Sequence, residues 1–323
     1  MAHGPDHRQE AKVERAVLIA GPTASGKSAL AIGVAEELGG IVINADAMQV
    51  YRDLRVLTAR PSAAEEARVP HRLFGHVDAA ETYSVGRWLR DVAPVFEEAA
   101  RRGALPVVVG GTGLYLKALT GGLAAIPPIP APVREALRAR LADEGSGALH
   151  AELTQRDPVA AAKLSPGDGV RIVRALEVIE ATGRPLSAWH RAGMPALVDG
   201  QKALKVVLSL ERGKLHQRID TRFDAMMSNG ALEEVQALRA RGLDPLLPAM
   251  KAHGVPWLIA ALNGDIPLLA AVDAAKRDTR RYTKRQLTWF RNQLPDWPWR
   301  AAGEAEHAIL KTFASFRGSR RLT

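Results

Sequence analysis

Gly21-Pro22-Thr23-Ala24-Ser25-Gly26-Lys27-Ser28 matches the pattern G-x4-G-K-[ST] without deviation, and the apolar run Val17 to Ala20 stands directly before it. After Lys27 the segment SALAIGVAEEL places apolar residues at helical spacing, so the first forty residues read as strand, glycine-rich loop and helix. The bare pattern arises by chance in about one chain of this length in a hundred at average residue usage. The flanking strand and helix make an accident rarer still. In such a loop, backbone N–H groups approach phosphate oxygens at a helix N-terminus, a lysine adds a point charge, and a hydroxyl can ligate Mg²⁺. The motif therefore predicts a diphosphate or triphosphate site on Gly21, Thr23, Ala24, Ser25, Gly26, Lys27 and Ser28, with Ser28 as the metal ligand. It is an ATP-binding motif in form, yet it does not say which molecule carries the phosphate.

The rest of the chain fixes the frame around that loop. Residues 41–43 read as a second buried strand, 86–101 as a helix that Pro94 is expected to kink, and 107–109 as a third strand running into the helix GTGLYLKAL. Strands alternating with helices predict an α/β fold with a P-loop NTPase-like parallel sheet flanked by helices. The pattern changes at 121–132, where four prolines and two glycines stop any helix or central strand. Val133, Leu137 and Leu141 then form a helix stripe, Asp157-Pro158 reads as an N-cap and first turn, and Asp168 caps a helix ending at Thr182 before Gly183 and Pro185. Strand character returns at 204–210, followed by helical patterns at 214–228, 231–241, 254–263 and 272–294. The expected organisation is an N-terminal tail (1–14), a catalytic core (15–121 and 201–300), an all-helical insertion (122–200) and a C-terminal tail (301–323).

Composition narrows the chemistry. Cysteine is absent, which excludes disulfides, thiolate nucleophiles and sulfur-ligated zinc. The nine histidines are scattered without ligand spacing, so no metal beyond Mg²⁺ is indicated. No apolar run reaches the length of a membrane span, and the polar first residues do not form a secretory signal. Lysine and arginine number 44 against 35 acidic residues, a net charge of +9, which makes a polyanionic partner worth looking for without naming it. The excess concentrates at 276–285 (KRDTRRYTKR), six basic residues against one acidic. If Leu287, Phe290 and Leu294 face the core, Arg277, Arg281 and Lys284 form a cationic stripe suited to phosphate-backbone contact. Arg171 and Arg174 repeat the theme inside the insertion.

Three further groups have competing readings. Asp46 follows the second strand, where α/β proteins place their chemistry, but Asp46 with Gln49 three residues on is also a capping-box-like pair, and spacing alone favours the cap. Gly110-Gly111-Thr112-Gly113 is a second strand-to-helix turn that could bring Thr112 to the same sheet edge, or simply satisfy backbone torsions. Arg218 and Arg222 share one helix face beside an apolar stripe of Ile219 and Phe223, a pattern that usually means solvated arginines.

Taken in order, GPTASGKSALA, NADAMQVYRDL, Thr58-Ala-Arg-Pro61, VPHRLFGHVD, YSVGRW, VVVGGTGLYLKAL, RIVRALEVIEATGRPLS, LHQRIDTRFDAMMSNG and TRRYTKRQLTWFR resemble the sequence blocks of bacterial tRNA dimethylallyltransferases over most of residues 16–294. The resemblance implies transfer of the dimethylallyl group of dimethylallyl diphosphate to N6 of the adenosine just 3′ of the anticodon, in tRNAs reading codons that begin with U. It implies Asp46 as the general base and Thr112 and Arg222 as diphosphate-side residues, working with Lys27, Ser28 and Mg²⁺. Contacts to the adenine and the anticodon stem-loop fall, by the same resemblance, on Asp46, Ala47, Met48, Gln49 and Thr112, on Val170, Arg171 and Arg174, on Lys251, His253 and Gly254, and on Lys284, Arg285, Gln286, Trp289 and Arg291. Ala47 stands where the family often has serine, and KAHGVP at 251–256 departs from the family's usual Gly-Tyr pair. A cytoplasmic monomer with a through-channel is also implied.

Two rivals share the phosphate loop. A small-molecule P-loop kinase would not require the basic stripe. A noncatalytic RNA-binding NTPase explains the charge but gives Asp46 and Thr112 no task.

Overall fold

The computed structural model describes residues 12–189 and 193–319, which divide into two compact units, one of residues up to 120 and from 197 on, the other Gly121–Ala196. The first unit opens with β1 (Val17–Ala20), α1 (Lys27–Leu38), β2 (Gly40–Asn44), α2 (Ala63–Arg68), β3 (His71–Arg72), α3 (Val85–Arg101), β4 (Leu105–Gly110) and α4 (Gly113–Gly121). In the second unit follow β5 (Leu123–Ala124), α5 (Ala131–Arg156), α6 (Pro158–Ala161), α7 (Gly169–Thr182), α8 (Leu186–Trp189) and β6 (Gly193–Met194). The chain then returns through β7 (Leu204–Leu208), α9 (Arg212–Ser228), α10 (Ala231–Ala240), α11 (Val255–Leu262), α12 (Leu268–Gln293), β8 (Trp299–Arg300) and α13 (Ala302–Ser319).

The first unit is built on a six-stranded sheet in the order β3-β2-β4-β1-β7-β8, with every pairing parallel. β1, β2 and β4 read as unbroken apolar runs because helices cover both faces of a parallel sheet. Register sets Val17 opposite Val107 on one side and Leu204 on the other. Since β4 lies between β1 and β2, the loops that follow these three strands emerge side by side at the carboxyl edge of the sheet, the place where such folds bind ligands. Pro94 lies within an unbroken α3.

The C-terminal segment is not a tail over 302–319. It forms α13, whose Ala305 and Ile309 join the core cluster of Leu30, Ile32, Val107 and Leu208. α1 carries buried residues on several sides, and α13 supplies the cover that β1 and β4 alone do not. Residues 12–14 are also tied down. Val13 bridges to Val198, and Glu14 pairs with Lys202 at 2.6 Å. The remaining expected tail residues, 1–11 and 320–323, lie outside the described residues.

The second unit is helical apart from the two-residue antiparallel pair β5–β6. Its core gathers Leu137, Leu149, Leu153, Ile172 and Leu176. Asp157 accepts the Ala160 N–H and Asp168 the Arg171 N–H, and Gly183 closes α7 in the left-handed conformation, so both caps act as their spacing predicts. Gly145, at φ +79°, breaks α5.

Candidate functional site

The loop between β1 and α1 folds as phosphate loops do. Gly26 adopts φ +92° and Ala24, without the licence of a glycine, φ +66°, a strained turn that brings successive amides round the N-terminus of α1. Gly21 is closely covered, since a Cβ there would sit 2.7 Å from the Ser25 hydroxyl. That Ser25 Oγ is buried and has no hydrogen-bond partner within the protein, so an oxygen of a bound phosphate would satisfy it. Lys27 is 9% exposed and donates to the Pro22 carbonyl at 3.3 Å. Burial pulls its ammonium down to about 8, against the pull of Asp46 and with the help of Arg222. Ser28 is exposed in the first turn of α1. Thr23 spends its N–H on Gln286, so its hydroxyl is the group it has left to offer.

Asp46 follows β2 as expected, but no helix begins there and the capping reading fails. Its Oδ1 accepts the Met48 N–H at 3.0 Å, while Gln49 turns away and donates to the Thr58 and Ala59 carbonyls. Sequence reasoning missed what aims Asp46. Fully buried Asn44 accepts the Asp46 N–H at 2.8 Å and donates to the Asp46 and Leu73 carbonyls, and Trp88 Nε1 holds the Asn44 carbonyl at 2.8 Å. A polar residue ending an apolar strand is the signal that could have marked it.

The second glycine-rich turn needs glycine for space and not for torsion. Among its glycines none has positive φ. A Cβ on Gly110 would lie 2.0 Å from the Ala45 carbonyl oxygen, on Gly111 2.4 Å from Gln286 Nε2 and 3.2 Å from the Asp46 carboxylate, and on Gly113 2.0 Å from the Trp289 ring. The turn is thereby pressed between Asp46 and α12, and Thr112 Oγ1 accepts the Ala47 N–H at 2.9 Å.

The phosphate loop and Asp46 share a cavity whose lining does not include Thr112. Lys27, Ser28, Asp46 and Arg222 line one part, and Leu57, Ile219, Phe223 and Met226 give it an apolar wall. Arg222 is therefore turned inward, where burial lowers its basicity and Asp46 opposes the loss. Arg218 remains exposed, with its guanidinium 3.9 Å from where a Cβ of Gly26 would stand. His253 and Tyr282 close another side with ring centroids 4.4 Å apart. Burial, then the charge of Arg285, lowers the His253 pKa and favours the neutral ring. Glu234, on α10, had no role in the sequence reading. It accepts the N–H groups of Arg55, Val56 and Leu57 at 2.6 to 3.0 Å and so fixes the loop that carries Leu57.

α12 exposes Arg277, Arg281, Lys284 and Arg285, while Lys276 and Arg280 pair with Asp224 and Asp220 of α9, and its buried face is more polar than the leucine spacing suggests. Thr279, Thr283, Gln286 and Phe290 are buried, whereas Leu287 is only half-buried. Leu287 instead floors a second cavity, of about 550 Å³, rimmed by Arg212, Arg277, Arg281, Lys284 and Arg291. Lys284 and Arg285 are exposed, Arg291 lies 5.3 Å over the Trp299 ring, and Trp289 is held against Gly113. Lys251 is exposed, and Gly254 turns at φ +97° against Phe223. In the second unit, Val170 is 80% exposed, Arg171 pairs with Asp168 at 3.0 Å, and Arg174 with Glu177 at 3.2 Å. No cluster of three or more His, Asp or Glu able to hold a metal exists among the described residues. Nor, among them, is any helix long and apolar enough to cross a membrane.

Comparison with known proteins gives a consistent result. Residues 49–293 match the family described as IPP transferase, and residues 14–74 the one described as isopentenyl transferase. A tRNA dimethylallyltransferase of Nitrobacter hamburgensis is 60% identical over 291 residues, 90% of this chain and 92% of that one. Its counterpart in a Bradyrhizobium species is 61% identical over 287 residues, covering 89% and 94%. Among solved structures, the tRNA isopentenylpyrophosphate transferase of Bacillus halodurans aligns with a TM-score of 0.67 at 34% identity, over 96% of this chain and 99% of that one. A eukaryotic dimethylallyltransferase acting on tRNA gives 0.73 at 29% identity, over 90% and 74%.

Proposed function

The chain belongs to the IPP transferase family, and from that premise we propose that it transfers the dimethylallyl group of dimethylallyl diphosphate to N6 of the adenosine just 3′ of the anticodon in tRNA. The observation that carries this reading is one cavity that brings together buried Lys27, half-buried Arg222, the Asp46 carboxylate and an apolar wall. Lys27 and Arg222 suit a diphosphate, the leucine, isoleucine, phenylalanine and methionine side chains suit a five-carbon isoprenoid, and Asp46 stands beside both.

In the proposed reaction the N6 lone pair attacks C1 of the allylic group, the C1–O bond breaks, and the diphosphate leaves with the bonding electrons. The N6 proton passes to Asp46. An exocyclic adenine amine is a poor nucleophile because its lone pair is delocalised into the ring, so removal of that proton as the bond forms lowers the barrier. Lys27, Arg222, the loop amides and the unpartnered Ser25 hydroxyl meet charge as it grows on the leaving group. The Thr112 hydroxyl, which accepts from Ala47, keeps its own proton to donate. Ser28 would hold Mg²⁺ through its hydroxyl, with substrate oxygens supplying further hard ligands. The ion, when bound, adds positive charge at the diphosphate.

The exposed Lys284 and Arg285 of α12, with Lys251, suit the phosphates of the anticodon stem-loop. In the second unit, taken by itself, exposed Val170 with Arg171 and Arg174 is a separate proposed RNA contact. The protein acts as a monomer in the cytoplasm, where its tRNA substrates are.

Incubation with dimethylallyl diphosphate, Mg²⁺ and unmodified tRNA tests the reading. One diphosphate should be released for each adenosine modified. Transfer of label from γ-phosphate ATP to an acceptor, with no use of the allylic donor, would instead establish the kinase.

A further inference from the structure

Gln286 lies in the middle of the most basic helix of the chain, yet it does not face the solvent. It is 5% exposed, and both ends of its amide are in use. Oε1 accepts the Thr23 N–H at 3.0 Å, and Nε2 donates to the Gly111 carbonyl at 2.9 Å. One donor and one acceptor partner leave no freedom to flip the amide. Thr23 belongs to the phosphate loop, and Gly111 to the turn packed against the Asp46 carboxylate. A single side chain thus spans the two halves of the reaction centre, 263 residues from one partner and 175 from the other.

The same helix is locked to the Gly111 side at two further points. Trp289 fills the space that a side chain on Gly113 would need, and Gln293 Oε1 accepts from Lys117 Nζ at 2.6 Å. Immediately before Gln286 stand the exposed Lys284 and Arg285. A polyanion seated on these cations would rest on a helix whose next residue grips the phosphate loop.

We propose that Gln286 is a positioning residue that couples tRNA docking on α12 to the geometry of the diphosphate loop, and is not itself a contact to RNA. This rests on the prenyl-transfer reading above. The clamp sets the separation between donor C1 and the Asp46 side of the cavity, and misplacement of about 1 Å can cost on the order of 10²-fold in rate. Coupling between the two ligands must be reciprocal, so tRNA should tighten donor binding by the same factor as donor tightens tRNA.

The test uses the full chain and the variants Gln286→Met, which keeps length and packing but has no hydrogen-bonding amide, and Gln286→Glu, which keeps an acceptor for Thr23 but offers Gly111 no donor when ionised. Donor affinity is measured with and without saturating unmodified tRNA, together with kcat and hydrogen exchange at the Thr23 amide. Wild type should bind donor at least about 5-fold more tightly with tRNA present, and tRNA should slow exchange at Thr23. In Gln286→Met both effects should vanish and kcat should fall by about 10- to 100-fold, with tRNA affinity within about 2-fold of wild type. Gln286→Glu should fall between the two. A merely structural role would lower the active fraction and leave the coupling factor intact, which overturns the proposal. So would a tenfold loss of tRNA affinity with donor coupling retained, since that is the signature of an RNA contact. If wild type transfers no dimethylallyl group, the functional reading fails first and separately.

Discussion

Thr112 and Ala47 are joined by a 2.9 Å hydrogen bond in which the threonine hydroxyl accepts the alanine N–H. It ties the second glycine-rich turn to the segment that carries Asp46, and it leaves the hydroxyl proton free to donate. Thr112→Ser should keep activity within about 3-fold. Thr112→Val removes the hydroxyl, and with it the bond from Ala47 and the proposed donor to the diphosphate, at nearly constant shape and should cost about 10²-fold in kcat, the scale of one lost donor to a developing oxyanion. Steady-state kinetics on the two variants check this, and equal activities would remove Thr112 from the reaction.

Asp46 is held in place by Asn44 and caps no helix. Asp46→Asn preserves an acceptor for Met48 but cannot take the N6 proton. Turnover should fall about 10²- to 10⁴-fold, while tRNA and donor affinities, measured by direct binding, stay near wild type. A small change in kcat would mean that another group receives the proton.

Lys27 makes a prediction about pH that separates function from stability. Its ammonium in the free protein titrates near 8, lowered chiefly by burial. Donor affinity should therefore be flat below about pH 8 and decline above it as the charge is lost. Stability runs the other way. The unfolded lysine holds its proton to about 10.5, so between about 8 and 10.5 the unfolded chain binds more protons and this residue makes stability rise with pH. Lys27→Met should abolish tight donor binding and raise unfolding stability at pH 7 by on the order of 1–3 kcal/mol in urea titrations. A less stable variant would show that the buried charge is better compensated than its surroundings imply.

Lys284 and Arg285 are exposed on α12. In Lys284→Ala/Arg285→Ala, the slope of log affinity against log salt should fall by about 0.7 to 0.9 for every phosphate left without its cation. The weakening should be similar for tRNAs of different sequence, because phosphates carry no base identity. Donor affinity without tRNA is the control. An unchanged slope in a folded variant would leave this face without an RNA partner.

The phosphate loop and the continuous apolar runs of β1, β2 and β4 were legible because each is a local pattern with a local cause. So was α7, whose Asp168 and Gly183 caps are written in four or five residues at each end. Helix α13 was not, because its anchors Ala305 and Ile309 make sense only against α1, nearly three hundred residues earlier. Two-residue edge strands such as β3 and β8 leave no periodicity to read. In the site, Lys27 and Ser28 followed from spacing, but Asp46 read locally as a cap until the absence of a following helix decided it. Gln286 is the sharpest case. Its neighbours are cations, resemblance assigned it to RNA, and its partners Thr23 and Gly111 come together with it only in the folded chain.

In the proposed reaction Asp46 and the phosphate loop act on one adenosine and one allylic diphosphate in the same cavity. The direct measurement is mass-spectrometric mapping of nucleosides in tRNA after incubation with dimethylallyl diphosphate and Mg²⁺, for wild type and Asp46→Asn side by side. Wild type should give N6-dimethylallyladenosine at the position just 3′ of the anticodon, and Asp46→Asn almost none although that variant still binds both substrates. Unmodified adenosine with folded wild-type protein that binds both substrates, or equal modification by both proteins, would overturn this.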